Sequence, residues 1–311
     1  MKILLLNPGR RDYLVKYFLD LSNKFNLKIF ILDSDKNIPS FKISKKTKNF
    51  ICPRANKKNY LYFLKNFVKR NRINVIFPLS EHEMFKLSKE KKIFKKMGIN
   101  IVISDSKVIS LCKNKLKTYD FLKQNKIMFP KIVKFKELKK NLPVIKKEVR
   151  GNSSKNQMII NSIDQIPKIE NKNFFFQKYI KSEEFGMDIL NDLNGNFIHF
   201  CVKKKYQIRA GDTDKAKIVN PKKFSKLAYK ISSSLNHIGN LDIDFMYRNK
   251  KAYVLDLNPR FGGGYPFTHE YGYNYIERIL EILKTRKKFK KFKLFVNNNN
   301  LFSKGITVYK H

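Results

Sequence analysis

Acid is scarce in this sequence beside its bases. Its 311 residues hold 67 lysines and arginines against 25 aspartates and glutamates, a formal net charge of +42. Such a charge draws phosphate-bearing partners by long-range field. The lysines run along the whole length, with no localised stripe and no recognisable nucleic-acid module, which argues against a dedicated nucleic-acid binder. Lys, Asn, Ile and Phe are abundant together, the mark of codons pushed towards A and T. Cysteine is also scarce. Cys52, Cys112 and Cys201 are odd in number and lack metal-type spacing, so they read as reduced thiols. No apolar run approaches the roughly 18 residues of a membrane span. The apolar start, Met1–Pro8, has no small-residue cleavage site after it and reads as the first buried strand of a cytoplasmic protein. A dinucleotide fingerprint is missing too. The first turn is Asn7-Pro8-Gly9-Arg10-Arg11 rather than G-x-G-x-x-G, which disfavours a nicotinamide or flavin cofactor.

The first hundred residues alternate between strand and helix patterns. Strands are expected at Lys2–Asn7, Leu27–Leu32, Val75–Phe77 and Ile99–Ile103, with helices at Arg11–Asn23, Tyr60–Val68 and Glu81–Phe94. This alternation implies an α/β domain built on a parallel sheet. Ligands of such sheets sit beyond the carboxyl ends of the strands. The Pro8–Arg11 loop, Asp33, Asp35 and Ser80-Glu81-His82-Glu83 fall there. A helical connection spans Ser106–Lys126, and from there the pattern becomes α+β. Short strands are expected at Lys131–Phe135, Pro143–Val149, Gln157–Asn161, Asn173–Gln177, Phe185–Asn191 and Phe197–Lys204. Asn194-Gly195 marks a hairpin. A helix at Phe224–Leu235 is followed by a second hairpin, Leu241–Tyr247 with Ala252–Leu257, and by a helix at Tyr275–Leu283. The charge run Lys287–Lys293 reads as a solvated linker, and the tail as two strands, Phe292–Val296 and Gly305–Tyr309.

The second hairpin carries the chemistry. Asp256 and Asn258 are two apart on one strand and share a face. The hairpin brings Asp244 from the other strand beside them. Two carboxylates and an amide oxygen suit a hard divalent cation whose remaining positions are filled by substrate phosphates. Pro259 ends the strand, Arg260 adds a cation, and Gly262-Gly263-Gly264 leaves backbone amides open to close approach by an anion.

Together, Asp244 and Asp256-Leu257-Asn258-Pro259-Arg260 resemble the metal motif of the ATP-grasp enzymes, nearest to the carbamoyl-phosphate-synthase-like branch. The resemblance implies a Rossmann-like pre-ATP-grasp domain over residues 1–111. A two-lobed ATP-grasp domain would follow over 112–311, its smaller lobe at 112–184 and its larger lobe at 185–311. Asp244, Asp256 and Asn258 would hold one or two magnesium ions, with manganese as a substitute, although the bridging ligand is usually Glu. Arg260 would contact the transferred phosphate. Lys115 and Lys147 match the family's phosphate-contacting lysines, and Gly151–Lys155, with Ser153 and Ser154, matches its lid loop. Gln177-Lys178-Tyr179-Ile180 resembles the adenine hinge, Glu184 the ribose acid (with Glu183 as the neighbouring choice), and Arg209 a phosphate- or acceptor-side arginine.

The implied activity is an ATP-dependent ligase that activates a small-molecule carboxylate as an acylphosphate for attack by an amine, or less often a thiol. Single-copy architecture argues against carbamoyl-phosphate synthesis itself. The expected protein has no membrane contact and is compatible with a homodimer. Two other readings stand beside it: an ATP-grasp protein that binds nucleotide with weakened catalysis, and a polyanion binder. Among the five histidines only His82 and His269 fall near the expected site, and neither is marked as a catalytic base.

Overall fold

A computed structural model describes residues 1–151, 156–209, 211–285, 291–296 and 301–310. The amino-terminal part is β1 (Lys2–Leu6), α1 (Asp12–Asp20), α2 (Ser22–Phe25), β2 (Lys28–Asp33), β3 (Lys48–Ile51), α3 (Tyr60–Asn71), β4 (Val75–Pro78), α4 (Glu81–Lys96) and β5 (Asn100–Ile101). Its strands form one sheet in the order β3-β2-β1-β4-β5, and every pairing is parallel. Strand β1 is apolar throughout because both its faces are covered. Ile3 and Leu5 pack with Leu14, Val15 and Phe18 of α1, whereas Leu4 and Leu6 pack with Leu64 and Val68 of α3 and Leu87 of α4. Helix α4 opens on a capping box: Ser80 caps the first turn and Glu83 reaches back to the Ser80 N–H.

The rest of the chain builds two antiparallel sheets. The smaller is formed by β6 (Ile132–Val133), β7 (Val144–Glu148), β8 (Met158–Ile160) and β9 (Phe174–Lys178) in the order β6-β9-β7-β8. It follows α5 (Ser106–Cys112) and α6 (Lys115–Gln124). The larger contains β10 (Glu183–Asn191), β11 (Phe197–Arg209), β12 (Asp212–Val219), β13 (Gly239–Arg248), β14 (Lys251–Asn258) and β15 (Leu301–Ser303), ordered β14-β13-β10-β11-β12-β15. Helix α7 (Ser225–Leu235) covers one face of it, and α8 (Tyr265–Glu270) and α9 (Tyr275–Lys284) follow the metal-type hairpin. A parallel α/β sheet followed by two antiparallel sheets is the fold class expected. One apolar cluster joins α1 to α8 and α9, with Val15 and Phe18 in the same core as Tyr265 and Ile276. The amino-terminal sheet and the larger lobe are therefore packed as one body.

Several elements differ from the sequence reading. Strand β3 was not expected: its residues are exposed, and Lys-Asn-Phe-Ile lacks a buried face to announce it. The connection at 106–126 is two helices, because Asn114 caps a new start by accepting from the Lys117 N–H at 3.2 Å. Strand β12 was missed, as was α8. In the tail, 292–296 docks by side chains instead of pairing as a strand. Phe292 sits 4.5 Å from the His199 ring, and the Tyr271 hydroxyl donates to the Val296 carbonyl at 2.6 Å. The free edge of β12 is taken by 301–303, and residues 304–310 form no strand. Part of the Lys287–Lys293 run lies outside the described residues.

Candidate active site

The two antiparallel sheets face each other across a cleft of about 200 Å³. Its apolar walls include Pro130, Ile145, Ile180, Met246 and Leu255. Its polar lining includes Lys147, Glu184, Lys205, Asp244 and Asp256. Strands β13 and β14 supply the acidic floor. Asp244 lies directly opposite Asp256, and Asp242 directly opposite Asn258. A bulge follows at Leu255, which has no partner on β13, so Leu255 and Asp256 both line the cleft. The Tyr119 hydroxyl secures that bulge by donating to the Leu255 carbonyl at 2.9 Å.

Lysines meet these acids. Lys115, the first residue of α6, is ion-paired with Asp256. Lys205 bridges Asp244 at 2.5 Å and Glu184 at 2.6 Å. Burial raises the cost of charging Asp244, but the Lys205 ammonium outweighs it and holds the carboxyl below its ordinary value. Asp242 goes the other way: burial, reinforced by Asp244, pushes it up to about 7. Lys147 is 4% exposed, and burial lowers its ammonium against the pull of Asp256. Arg260 does not join Asp256. Its guanidinium spans Glu81 at 2.8 Å, from the amino-terminal domain, and Asp242 at 3.2 Å. The glycine turn serves close approach, as expected, but the anions beside it belong to the chain. A Cβ on Gly262 would strike the Asp242 carboxylate, and one on Gly263 that of Asp212.

The other expected residues sort as follows. Gln177 is fully buried and donates from Nε2 to the Pro130 carbonyl at 3.3 Å. The Lys178 side chain turns away to the carbonyls of Asn141 and Leu142, which leaves the hinge to present its backbone and the Tyr179 and Ile180 side of the cleft. Glu184 lines the cleft, whereas Glu183 pairs with Lys204 outside it. Arg209 lies at the end of β11 with 62% of its side chain exposed, 3.4 Å from Asp214, and is not brought to the cleft lining. Ser153 and Ser154 lie outside the described residues. His82 is exposed. His269 stacks on Tyr17 with ring centroids 3.5 Å apart, and burial lowers its pKa, so it belongs to the interdomain packing.

Sequence reasoning missed Asp242, Lys205 and the Glu81–Arg260 pair. Asp242 was legible in the Asp-Ile-Asp alternation. Lys205 was not: one lysine in the run Lys203-Lys204-Lys205 carries little signal in so basic a chain. Two carboxylates in cross-strand register, with Asn258 two residues from one of them, form a hard-oxygen donor set that fits magnesium. Among the described residues no group of three or more His, Cys, Asp or Glu is arranged to hold a metal by itself.

Residues 112–264 match the ATP-grasp domain family, and residues 3–102 match the PylC-like N-terminal domain family. The two matches span most of the chain, and it is an ATP-grasp protein with a PylC-like amino-terminal domain. No curated protein matches the sequence. A biotin carboxylase–β,γ-ATP complex from Campylobacter jejuni superposes with a TM-score of 0.74 at 15% identity, covering 93% of this chain and 72% of that one. N5-carboxyaminoimidazole synthetase from Staphylococcus aureus, complexed with ADP, gives 0.74 at 18% identity, covering 94% and 79%. The biotin carboxylase domain of a Hydrogenobacter thermophilus 2-oxoglutarate carboxylase, a dimer with MgADP and bicarbonate, gives 0.72 at 14% identity, covering 93% and 71%. At these identities the likeness is one of fold.

Proposed function

We propose that this protein is a magnesium–ATP-dependent carboxylate–amine ligase and that the cleft between the two antiparallel sheets is its active site. The observation that carries the reading is the convergence of Asp244 and Asp256, in register across one hairpin, with Lys115, Lys147 and Lys205 in a cleft that also has an apolar end. The apolar end would take adenine between Ile145, Ile180, Met246 and Leu255, with the Lys178–Ile180 backbone along its edge. Glu184 would accept from the ribose hydroxyls. Lys115 would turn from Asp256 to the nucleotide phosphates, and Lys147 would reach them from the cleft wall. Asp256 and Asn258, on the floor they share with Asp244, would hold magnesium, which supplies charge neutralisation at the transferred phosphoryl group.

In the reaction, a carboxylate oxygen of the substrate attacks the γ-phosphorus and the bond to the β-phosphate oxygen breaks, giving an acylphosphate and ADP. The amine then attacks the acyl carbon, phosphate leaves with the former carboxylate oxygen, and the nitrogen loses a proton. Such transfers need positioning and electrostatic stabilisation more than covalent help. Arg260, oriented by Glu81 and Asp242, is the cation beside the acidic floor that would meet the acylphosphate. Arg209 would act on the acceptor side only after its loop moves inward, and Ser153 and Ser154 would cover the phosphates from the lid loop. The domain division at residue 111, a homodimer and a cytoplasmic location belong to the same proposal, as does manganese as a substitute ion. Among the described residues no helix is long and apolar enough to cross a membrane.

One observation favours a second reading, nucleotide binding with weakened turnover: Asp244 and Asp256 are already neutralised by lysines. The test is ADP release with pooled amino acids and sugar acids. The ligase reading expects substrate-stimulated ADP release that Asp256→Ala and Asn258→Ala each reduce by about 10³-fold or more while circular dichroism stays native. Wild-type rates in either variant sink the site assignment, and saturable nucleotide binding without turnover selects the second reading.

A further inference from the structure

Lys205 reaches the acidic floor from two strands away. It lies on β11, Asp244 lies on β13, and β10 runs between them. The residue of β10 opposite Asp244 is Gly186. A Cβ placed there would stand 3.0 Å from Lys203 Cε and 3.5 Å from Lys205 Cε. The missing side chain makes room chiefly for the Lys203 stem, and the Lys205 stem crosses the middle strand in ordinary contact beside it. At its end the ammonium is bracketed by two carboxylates, Asp244 at 2.5 Å and Glu184 at 2.6 Å, with only 9% of the side chain exposed. This is a sheltered cation held by two acids from two strands, not a surface lysine resting on a neighbour.

The other half of the floor is different. Lys115 pairs with a single carboxylate oxygen, Asp256 Oδ1. Asn258, two residues along the same strand, has no side-chain partner among the described residues. One half of the floor thus keeps hard oxygen donors available, and the other half is filled by a cation that belongs to the chain. A divalent ion placed at Asp244 would stand beside the Lys205 ammonium with both nearby carboxylates already engaged, and like charges at that separation repel strongly in a sheltered cleft.

We infer that Lys205 is a built-in cation at Asp244 and Glu184, so that the nucleotide complex takes a single divalent ion, on the Asp256–Asn258 side of the floor. The inference rests on the ligase reading of the cleft and specifies its metal content. Lys205 would remain in place through the reaction cycle, while Lys115 is displaced when the metal–nucleotide arrives.

The test counts Mn2+ bound per chain by electron paramagnetic resonance of the free ion, with the full chain saturated in a non-hydrolysable ATP analogue whose binding is measured in parallel. The expected result is one Mn2+ per nucleotide-bound wild-type chain and two in Lys205→Met, where Asp244 and Glu184 are released. Two ions on the wild type overturn the inference and leave the ligase reading standing. A folded Lys205→Met that still binds one ion overturns it as well. If the Met variant does not fold, Lys205→Gln, which keeps a polar head for the two carboxylates, takes its place with the same expectation. Absence of analogue binding to the wild type overturns both proposals together.

Discussion

Lys203 and Lys205 stand two residues apart on one face of β11 and meet opposite surroundings. Lys203 is 1% exposed and paired with Asp188, which is fully buried. The pair is sealed by Thr268, whose hydroxyl donates to Asp188 at 2.5 Å, and by Asn240, which donates to Asp188 at 3.2 Å and to the Arg260 carbonyl at 3.0 Å. The ammonium and the carboxylate of this network both end on protein groups, and the Asn240 Oδ1 is buried without a hydrogen-bond partner. Lys205 instead ends in the cleft, where its two carboxylates also face the space a nucleotide would fill. The same residue type on the same strand is a fixed strut at one position and part of an open charge field at the next. What separates them is whether the neighbouring elements, α8 in the first case, close over the pair.

The largest expected effect comes from breaking the sealed pair. Lys203→Met strands a buried carboxylate and should cost about 3–5 kcal/mol, a large part of a typical stability of about 5–15 kcal/mol. Adding Asp188→Leu should recover most of that loss, because a matched apolar pair replaces a matched ionic one. Lys205→Met should cost only about 1–2 kcal/mol, since water can reach the carboxylates it leaves. Chemical denaturation of the three variants checks this ordering, and equal losses for the two lysines would break the comparison.

A buried acid without a cation gives the next effect. Burial pushes Glu83 up from 4.5 to about 8. Between those values the native state holds a proton that the unfolded chain releases, so stability falls as pH rises through the window. Glu83→Gln should flatten that fall by ~2–4 kcal/mol, read from denaturation midpoints at pH 5 and pH 8. An unchanged slope would show that Glu83 is ionised in the native protein. The smallest effect belongs to an exposed pair. Lys24, with 58% of its side chain exposed, faces Glu277, and Lys24→Ala should change stability by about 1 kcal/mol or less. A larger loss would mean that exposure is not what ranks these pairs.

Much of the fold was legible. The apolar runs of β1, β2 and β4 and the helical periods of α1, α3 and α4 are written in residues that are buried for those reasons. The hairpin of β13 and β14 and its three oxygen donors were legible because period-2 alternation fixes which residues share a face. What escaped were elements without a patterned face. Strand β3 is exposed, β12 begins in the charged segment Asp212–Lys217, and α8 is a six-residue turn of helix behind three glycines. In the site, Asp242 escaped only for want of reading one more step of the alternation. Glu81 was seen at the correct strand end, but its partner Arg260 is 179 residues away, and no local pattern links them.

The sequence by itself determined the succession of the parallel and antiparallel parts and the acidic hairpin, because each is set by local period and spacing; the family likeness came from motif resemblance. Tertiary structure alone decided which lysine meets which acid. With 67 basic side chains, local pattern cannot rank them. The ranking comes from the order of strands in the larger sheet, from the close approach of the Lys203 stem to Gly186 with Lys205 beside it, and from the closure of α8 over Lys203.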